Sequence, residues 1–288
     1  MVLESLTTPE RAEKNPWDLL FIGAMYAAIG VFLSIWVFKE ESSIVMILLT
    51  VLACIPLIFN TVKLEASKDQ PNVKEVFLLK EHSKALSFFM CLFVGFVVAY
   101  SFAYIILPTP LVDILFSAQQ TTIEQINTQV ATPGTLTSSA TGGNLFMQIL
   151  GNNLKVLLFC IFFSFFYGAG SIFILTWNAS VISAAIGNFF RTHISTYAAS
   201  VGLPKIAGYF HIYSLSILRY FIHGLPEILG YFIGGLAGGI ISVAVIGYDF
   251  GTPNFKRIVV DSFDLILVAI FVLFIAAIIE VYVTPTFF

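Results

Sequence analysis

The chain has 288 residues, of which 58% are hydrophobic and 11% are charged, and its net charge is −3. A soluble domain carries about 25% charged residues, so this composition excludes a water-facing globular surface. The charged residues are also clustered and leave apolar runs of roughly 20 residues, the length that a helix needs to cross a bilayer. We therefore predict an all-α, polytopic transmembrane helix bundle with about six or seven spans. The runs do not alternate apolar and polar residues as the strands of a β-barrel do.

The N-terminal part is predicted to contain a cytoplasmic tail and three spans. Residues 1–16 are polar, and residues 17–107 hold the spans, at about 17–38, 44–60 and 85–107. Between the second and third spans, residues 61–84 interleave lysines with acidic residues. This pattern predicts a basic, amphipathic helix at the cytoplasmic surface that runs into the third span.

Residues 108–153 are predicted to form an extracytoplasmic loop. From 108 to 143 the chain contains no Lys or Arg, and Asp113 and Glu124 are its acidic residues. The segment has too little apolar surface for a core of its own. We expect a solvated loop with a short helix near 111–130.

Residues 154–248 are predicted to form a membrane core, and 249–288 a cytoplasmic loop and a last span. The predicted spans are about 154–177, 205–222, 226–248 and 264–284. Residues 179–190 are apolar but too short to cross, which favours a re-entrant or interfacial helix. The alternative is a continuation of the fourth span. Glu280, near the outer end of the last span, is interpreted as an interfacial charge that snorkels to water.

The distribution of Lys and Arg predicts the orientation. With seven spans, eleven of the fourteen Lys and Arg residues fall on the side of the N-terminus and two on the other. Cytoplasmic loops carry the excess of positive charge, so we predict a multi-pass protein of the cell membrane with a cytoplasmic N-terminus. If residues 179–190 crossed the membrane, Lys256 and Arg257 would move outside, which favours the re-entrant or interfacial interpretation.

The stretch Arg219-Tyr-Phe-Ile-His223-Gly224-Leu-Pro226-Glu227 places polar groups in apolar surroundings. Gly224 and Pro226 predict a break, with His223 ending one helix and Glu227 near the positive start of the next. Three interpretations follow: two helix ends tied together, a proton or ion relay, or a metal site. The metalloprotease spacing of two histidines four apart is absent from the sequence. We expect no catalytic residues, no metal and no cofactor.

A glycine seam follows this stretch. Gly230, Gly234 and Gly238 repeat every four residues, with Gly235 and Gly239 beside them. Small residues at this spacing allow membrane helices to approach closely. The seam predicts tight packing within the chain or across a dimer. Asn178, at the predicted end of the fourth span, is expected to cap the short helix that follows.

Four motifs together resemble one family. They are Asn153-Leu-Lys-Val, the Gly168-Ala-Gly170 run, Asn178-Ala-Ser-Val-Ile, and His223-Gly-Leu-Pro-Glu227 before the glycine seam. Over about residues 150–248 this order is similar to that of the stage II sporulation protein M family. Asn178, His223, Gly224 and Glu227 match the family pattern, whereas Ala179 stands where a glycine is usual.

The resemblance implies an integral membrane protein that acts as a scaffold in a complex with wall-remodelling partners. We accordingly expect a non-catalytic scaffold or recruitment subunit of a membrane complex, with the lipid bilayer and other membrane proteins or a second copy as partners. We expect no nucleic-acid partner. The alternative is a permease-like transporter, or an ion- or lipid-handling protein, that uses a polar cluster of Arg219, His223 and Glu227.

Overall fold

The structure, a computed structural model, describes residues 7–68, 75–131, 141–167, 170–194, 203–247 and 251–287. Throughout these ranges the regular structure is helical, and the predicted all-α bundle is confirmed. The helices are α1 Pro9–Lys14, α2 Asp18–Val37, α3 Ser42–Lys68, α4 Glu75–Ile106, α5 Thr109–Leu115, α6 Ser117–Ala131, α7 Thr141–Tyr167, α8 Ser171–His193, α9 Leu203–Ile246 and α10 Pro253–Ile278. A π-helical turn, Ile279–Val283, continues α10.

Seven of the described helices are long and apolar enough to cross a membrane, namely α2, α3, α4, α7, α8, α9 and α10. Their directions alternate along the chain. We call the face that holds α1, the end of α3, the start of α8 and the start of α10 the N-terminal face. The opposite face, which holds α5, the end of α8 and the start of α9, is the C-terminal face. In this arrangement α7 and α9 run in the same direction, since Leu157 meets Gly234 and Ile161 meets Gly238.

The interpretation of residues 179–190 as a re-entrant or interfacial helix is wrong, and so is the fourth span at 154–177. Residues 179–190 lie inside α8, a separate spanning candidate. α7 ends before Gly170, where the close approach of the Phe163 backbone requires a glycine. The polar residues of α8 lower its hydropathy, so the sequence does not indicate a separate span. In the structure these residues are hydrogen-bonded inside the bundle: Ser183 Oγ donates to the Val97 carbonyl at 3.1 Å.

The predicted break at Gly224 and Pro226 is also wrong, because α9 continues through both residues. The predicted spans 205–222 and 226–248 are therefore one helix. Proline removes one backbone hydrogen bond, whereas a break within lipid exposes several unpaired backbone groups. A continuous helix therefore costs less free energy than a broken one. Residues 231–240 are all buried, so this part of α9 is enclosed by other helices on every side.

These two corrections leave the number of membrane crossings unchanged. α8 adds a crossing and the continuous α9 removes one, so Lys256 and Arg257 stay on the N-terminal face, as predicted. Arg191 and Lys205, in contrast, lie at the C-terminal face, at the end of α8 and the start of α9. The N-terminal face still holds more Lys and Arg residues than the C-terminal face, but the excess is smaller than the sequence predicted. The cytoplasmic location of the N-terminus remains a prediction.

The predicted outer loop 108–153 is largely helical, and the short helix near 111–130 is confirmed as α5 and α6. This pair packs on the bundle through Val112, Leu115 and Phe116, which are buried. The Gln119 side chain joins two spans, since its Nε2 donates to Ser180 Oγ at 3.1 Å and its Oε1 accepts from Ser43 Oγ at 2.9 Å.

A buried charged network fixes α1 at the N-terminal face. Glu65, which is fully buried, accepts hydrogen bonds from Lys68 Nζ at 2.6 Å and contacts His82 Nδ1 at 2.6 Å. Lys68 Nζ also donates to Glu13 Oε1 at 2.8 Å. Burial raises the pKa of the Glu13 carboxyl, and the neighbouring Glu65 carboxyl raises it further. Part of the predicted amphipathic segment 61–84, residues 69–74, lies outside the described residues.

The glycine seam packs within the chain. The Cα of Gly230 faces Leu273 of α10, Gly234 faces Leu157 of α7, and Gly235 faces Ser171 of α8. A Cβ atom on Gly238 would meet the Ile161 carbonyl oxygen at 2.5 Å. Gly239 is buried as well. These helices approach so closely that the seam offers no free surface to a partner.

Candidate functional site: a polar cavity among four helices

A cavity of about 540 Å³ lies among α7, α8, α9 and α10. Its polar lining residues are Gln148, Asn152, Asn153, Lys155, Asn178, Glu227, Tyr231 and Glu280, and its apolar ones include Leu145, Met147, Ile149 and Val156. Polar and ionisable side chains are rare in membrane spans because they are costly there. Their convergence from four helices on one space makes this cavity the candidate site.

One wall of the cavity is built around Asn153. Its side chain is buried, and its Nδ2 donates to Glu227 Oε1 of α9. The Tyr231 hydroxyl donates to Asn153 Oδ1 at 3.1 Å. Glu227 and Tyr231 are four residues apart on the continuous α9, so they share one helix face. The unbroken helix thus brings the carboxylate to the cavity.

Glu280 completes this wall from α10. Its side chain lines the same cavity as Glu227, and the two carboxyl groups interact electrostatically. Glu280 belongs to the π-helical turn Ile279–Val283, and single π-helical turns interrupt α-helices frequently at functional sites. The interpretation of Glu280 as a snorkelling surface charge is replaced by a carboxyl pair inside the bundle.

Asn178 lines the cavity from α8. The prediction that it caps a following helix is wrong, because it lies in the interior of α8 and its Nδ2 donates to the Ile174 carbonyl at 2.8 Å. One of its two N–H donors is engaged on its own helix, so Asn178 can offer its side-chain carbonyl oxygen and one remaining N–H to the cavity.

The remaining polar side chains form a stripe on α7, consisting of Gln148, Asn152 and Lys155. These residues are exposed and line the cavity. Their spacing of four and three residues places them on one side of the helix. We refer to them as the α7 stripe.

The polar cluster predicted from sequence is divided in the structure. His223 Nδ1 lies 3.3 Å from Thr284 Oγ1, and the Arg219 guanidinium lies over the Phe189 ring, 5.5 Å from its centroid. Neither residue lines the cavity that holds Glu227. Gly224 is buried, and the nearest atom to a Cβ there would be Ile182 Cδ1 at 3.8 Å. Glu227 and Asn178 are therefore the predicted residues that the structure brings to one site.

Six polar lining residues were missed as site residues: Gln148, Asn152, Asn153, Lys155, Tyr231 and Glu280. Asn153 and Lys155 belong to a motif that carries the family resemblance, so the sequence contains a signal that could have identified them as site residues. The partnership of Glu280 with Glu227 depends on how α10 packs on α9. Among the described residues, no group of three or more His, Cys, Asp or Glu side chains could hold a metal ion.

Comparison with known proteins identifies a family. The family model described as SpoIIM, stage II sporulation protein M, matches residues 85–285. The match begins in α4 and ends in the turn after α10, so it includes every helix that lines the cavity. It is also longer than the resemblance at about 150–248. No curated protein and no solved structure matches the chain.

Proposed function

Since the chain belongs to the stage II sporulation protein M family, we propose that it is a membrane protein that binds a polar ligand in the cavity, as a permease-like or an ion- or lipid-handling protein. The observation that supports this proposal is the convergence of Asn153, Asn178, Glu227 and Glu280 on one space inside a bundle of spanning helices. A purely structural role would place these groups in a dry, closely packed cluster, whereas here they line a cavity.

The size of the space supports binding. A cavity of about 540 Å³ has room for many water molecules or for a small polar ligand. Hydrocarbon cannot hydrogen-bond to carboxyl and amide groups, so an apolar filling would leave them unpaired at a cost of several kcal/mol. Water or a polar ligand therefore occupies the space.

The carboxyl pair gives the cavity a proton-dependent chemistry. Two carboxylates in contact repel each other strongly in a medium of low dielectric constant, so Glu227 and Glu280 hold a proton between them or share a cation. Arrival of a cationic group replaces the shared proton. Binding of such a ligand and release of a proton are thereby coupled.

Proton movement tests the proposal. The purified protein is reconstituted in vesicles that enclose a pH-sensitive dye, and sodium, potassium, ammonium, ethanolamine and glycine are added separately. We expect at least one of these probes to change the internal pH in the presence of the protein. Glu227→Gln should abolish the response, whereas Glu124→Gln, which alters an exposed carboxylate of α6, should retain it. A wild-type signal equal to that of protein-free vesicles or of Glu227→Gln would overturn the proposal.

The scaffold or recruitment role is the second candidate. It is supported by α6, which Gln119 holds to α3 and α8 while Ser117, Thr121 and Glu124 face outwards. A fixed, exposed helix is a suitable docking element, whereas the glycine seam is already occupied. This role predicts a complex that survives mild detergent and Glu227→Gln, and that Thr121→Arg on α6 disrupts. Recovery of the protein without any partner or second copy would argue against it.

A further inference from the structure

We infer that the ligand of the cavity is zwitterionic, with an ammonium group held by Glu227 and Glu280 and an acidic group held by the α7 stripe. The inference rests on the proposed function and specifies the class of ligand. It follows from the separation of donors and acceptors between the two walls of the cavity.

The α7 stripe supplies hydrogen-bond donors and a positive charge. Gln148, Asn152 and Lys155 have no hydrogen bond or ion pair within the part of the chain that the structure describes. An ammonium group on a spanning helix is costly unless it faces water or pairs with acceptors, and an anion is the partner that stabilises it most. Two amides and a lysine on one helix side are suited to bind a carboxylate or a phosphate.

The wall around Asn153, Glu227 and Glu280 supplies acceptors. The Asn153 amide is engaged by Glu227 and Tyr231, and the Asn178 N–H donates to its own helix. The charged groups of this wall are the carboxyls of Glu227 and Glu280. Each of its two amides already uses one of its two N–H groups within the protein, so acceptors predominate on this wall. An ammonium group has three N–H donors and no acceptor, so it is complementary to this wall.

A ligand with a single charge fits less well. An anion would bind the α7 stripe but would be repelled by the carboxyl pair, and a cation would leave Lys155 without a partner. Only a ligand that carries both charges satisfies both walls. An amino acid and the headgroup of phosphatidylethanolamine share this chemistry. The apolar lining residues Leu145, Met147 and Ile149 would also accommodate the first part of an acyl chain.

Binding measurements distinguish these sources. Native mass spectrometry of the detergent-solubilised protein compares phosphatidylethanolamine with phosphatidylglycerol, which lacks the ammonium group, and with phosphatidylcholine, which lacks its N–H donors. Calorimetry with glycine and with glycerophosphoethanolamine tests the soluble ligands. We expect at least one ligand with both an ammonium and an acidic group to bind more tightly than its singly charged analogues. A lipid source is indicated if phosphatidylethanolamine binds and the soluble compounds do not.

The Lys155→Met variant tests the assignment of the acidic group. Loss of a charge-assisted hydrogen bond should weaken zwitterion binding by roughly 10- to 100-fold, whereas Lys205→Met, which removes a cation near Tyr209, should not change it. Equal binding of phosphatidylglycerol and phosphatidylethanolamine, or no effect of Lys155→Met, would overturn the inference. The proposed function is tested by a different experiment and is overturned if the proton response in vesicles does not depend on Glu227.

Discussion

Asn153 of α7 donates its side-chain amide to Glu227 of α9, although the two residues are 74 positions apart in the chain. The same amide accepts the Tyr231 hydroxyl, so one buried side chain satisfies two polar groups of a neighbouring helix. An amide is suited to this position because it carries donor and acceptor on one planar group.

Asn153→Ala should therefore destabilise the protein by about 2–6 kcal/mol, since it leaves two largely buried polar groups without their partner at about 1–3 kcal/mol each. The free energy of unfolding in mixed micelles measures the effect. Asn152→Ala is the matched control, because the neighbouring side chain is exposed and its removal should change stability by less than about 0.5 kcal/mol. Equal losses in both variants would contradict the assigned role of Asn153.

Glycine substitutions test the internal packing of the seam. Gly238→Ala places a methyl group 2.5 Å from the Ile161 carbonyl oxygen, and because backbone cannot rotate away, α7 and α9 must separate. We expect a loss of about 1–3 kcal/mol and a lower melting temperature in detergent. Gly224→Ala is the control: its nearest neighbour would be a side-chain methyl at 3.8 Å, and the gain in helix propensity stabilises by up to about 1 kcal/mol. Similar melting temperatures for the two variants would show that the seam is not closely packed.

The continuous α9 predicts where its two flanking lysines lie. Lys205→Cys and Lys256→Cys, each in a background with Cys54, Cys91 and Cys160 replaced by alanine, should react with a membrane-impermeant maleimide from opposite sides of oriented vesicles. A helix broken at Pro226, with residues 179–190 re-entrant, would place both positions on one side. Labelling of both from the same side would thus refute the topology described above.

The N-terminal network allows a comparison of buried and exposed ion pairs. His82→Ala removes a partner of the fully buried Glu65 and should cost about 3–5 kcal/mol. The Glu81–Lys84 pair has a similar length, 2.7 Å, but its side chains are 21% and 45% exposed, so Lys84→Ala should cost at most about 1 kcal/mol. Chemical denaturation of both variants measures the difference. A loss below about 1 kcal/mol for His82→Ala would mean that the network does not hold this face together.

The sequence predicted the class of fold and the number of spans, because hydropathy and helix length are local properties. It failed where tertiary contacts override a local signal. Pro226 was interpreted as a helix start, yet in lipid an unbroken helix satisfies more backbone groups. α8 was missed because Ser180 and Ser183 reduce its apolarity, and their partners, Gln119 and Val97, come from other helices.

The same reasoning applies to the candidate site. Asn178 and Glu227 were selected because they belong to motifs, and they do line the cavity. His223 belongs to the same motif as Glu227, and Arg219 was selected by its proximity in the chain, but neither lines the cavity and each contacts a different helix. Glu280 has no sequence neighbour that indicates its role, since its partner lies 53 positions earlier, on α9. Pairings of this kind depend on how helices pack.

The unbroken α9 has a mechanical consequence. The helix is 44 residues long, and at about 1.5 Å per residue it forms a rod of roughly 66 Å. This helix is packed closely against α7 at Gly238 and lines the cavity at Glu227. Lys205, near its start, is about 50 Å from Gly238 by the same rise. A tilt of about 5° around Gly238 would move the Lys205 end by roughly 4 Å. Any rotation of α9 about Gly238 would therefore displace the Lys205 end about three times as far as Glu227.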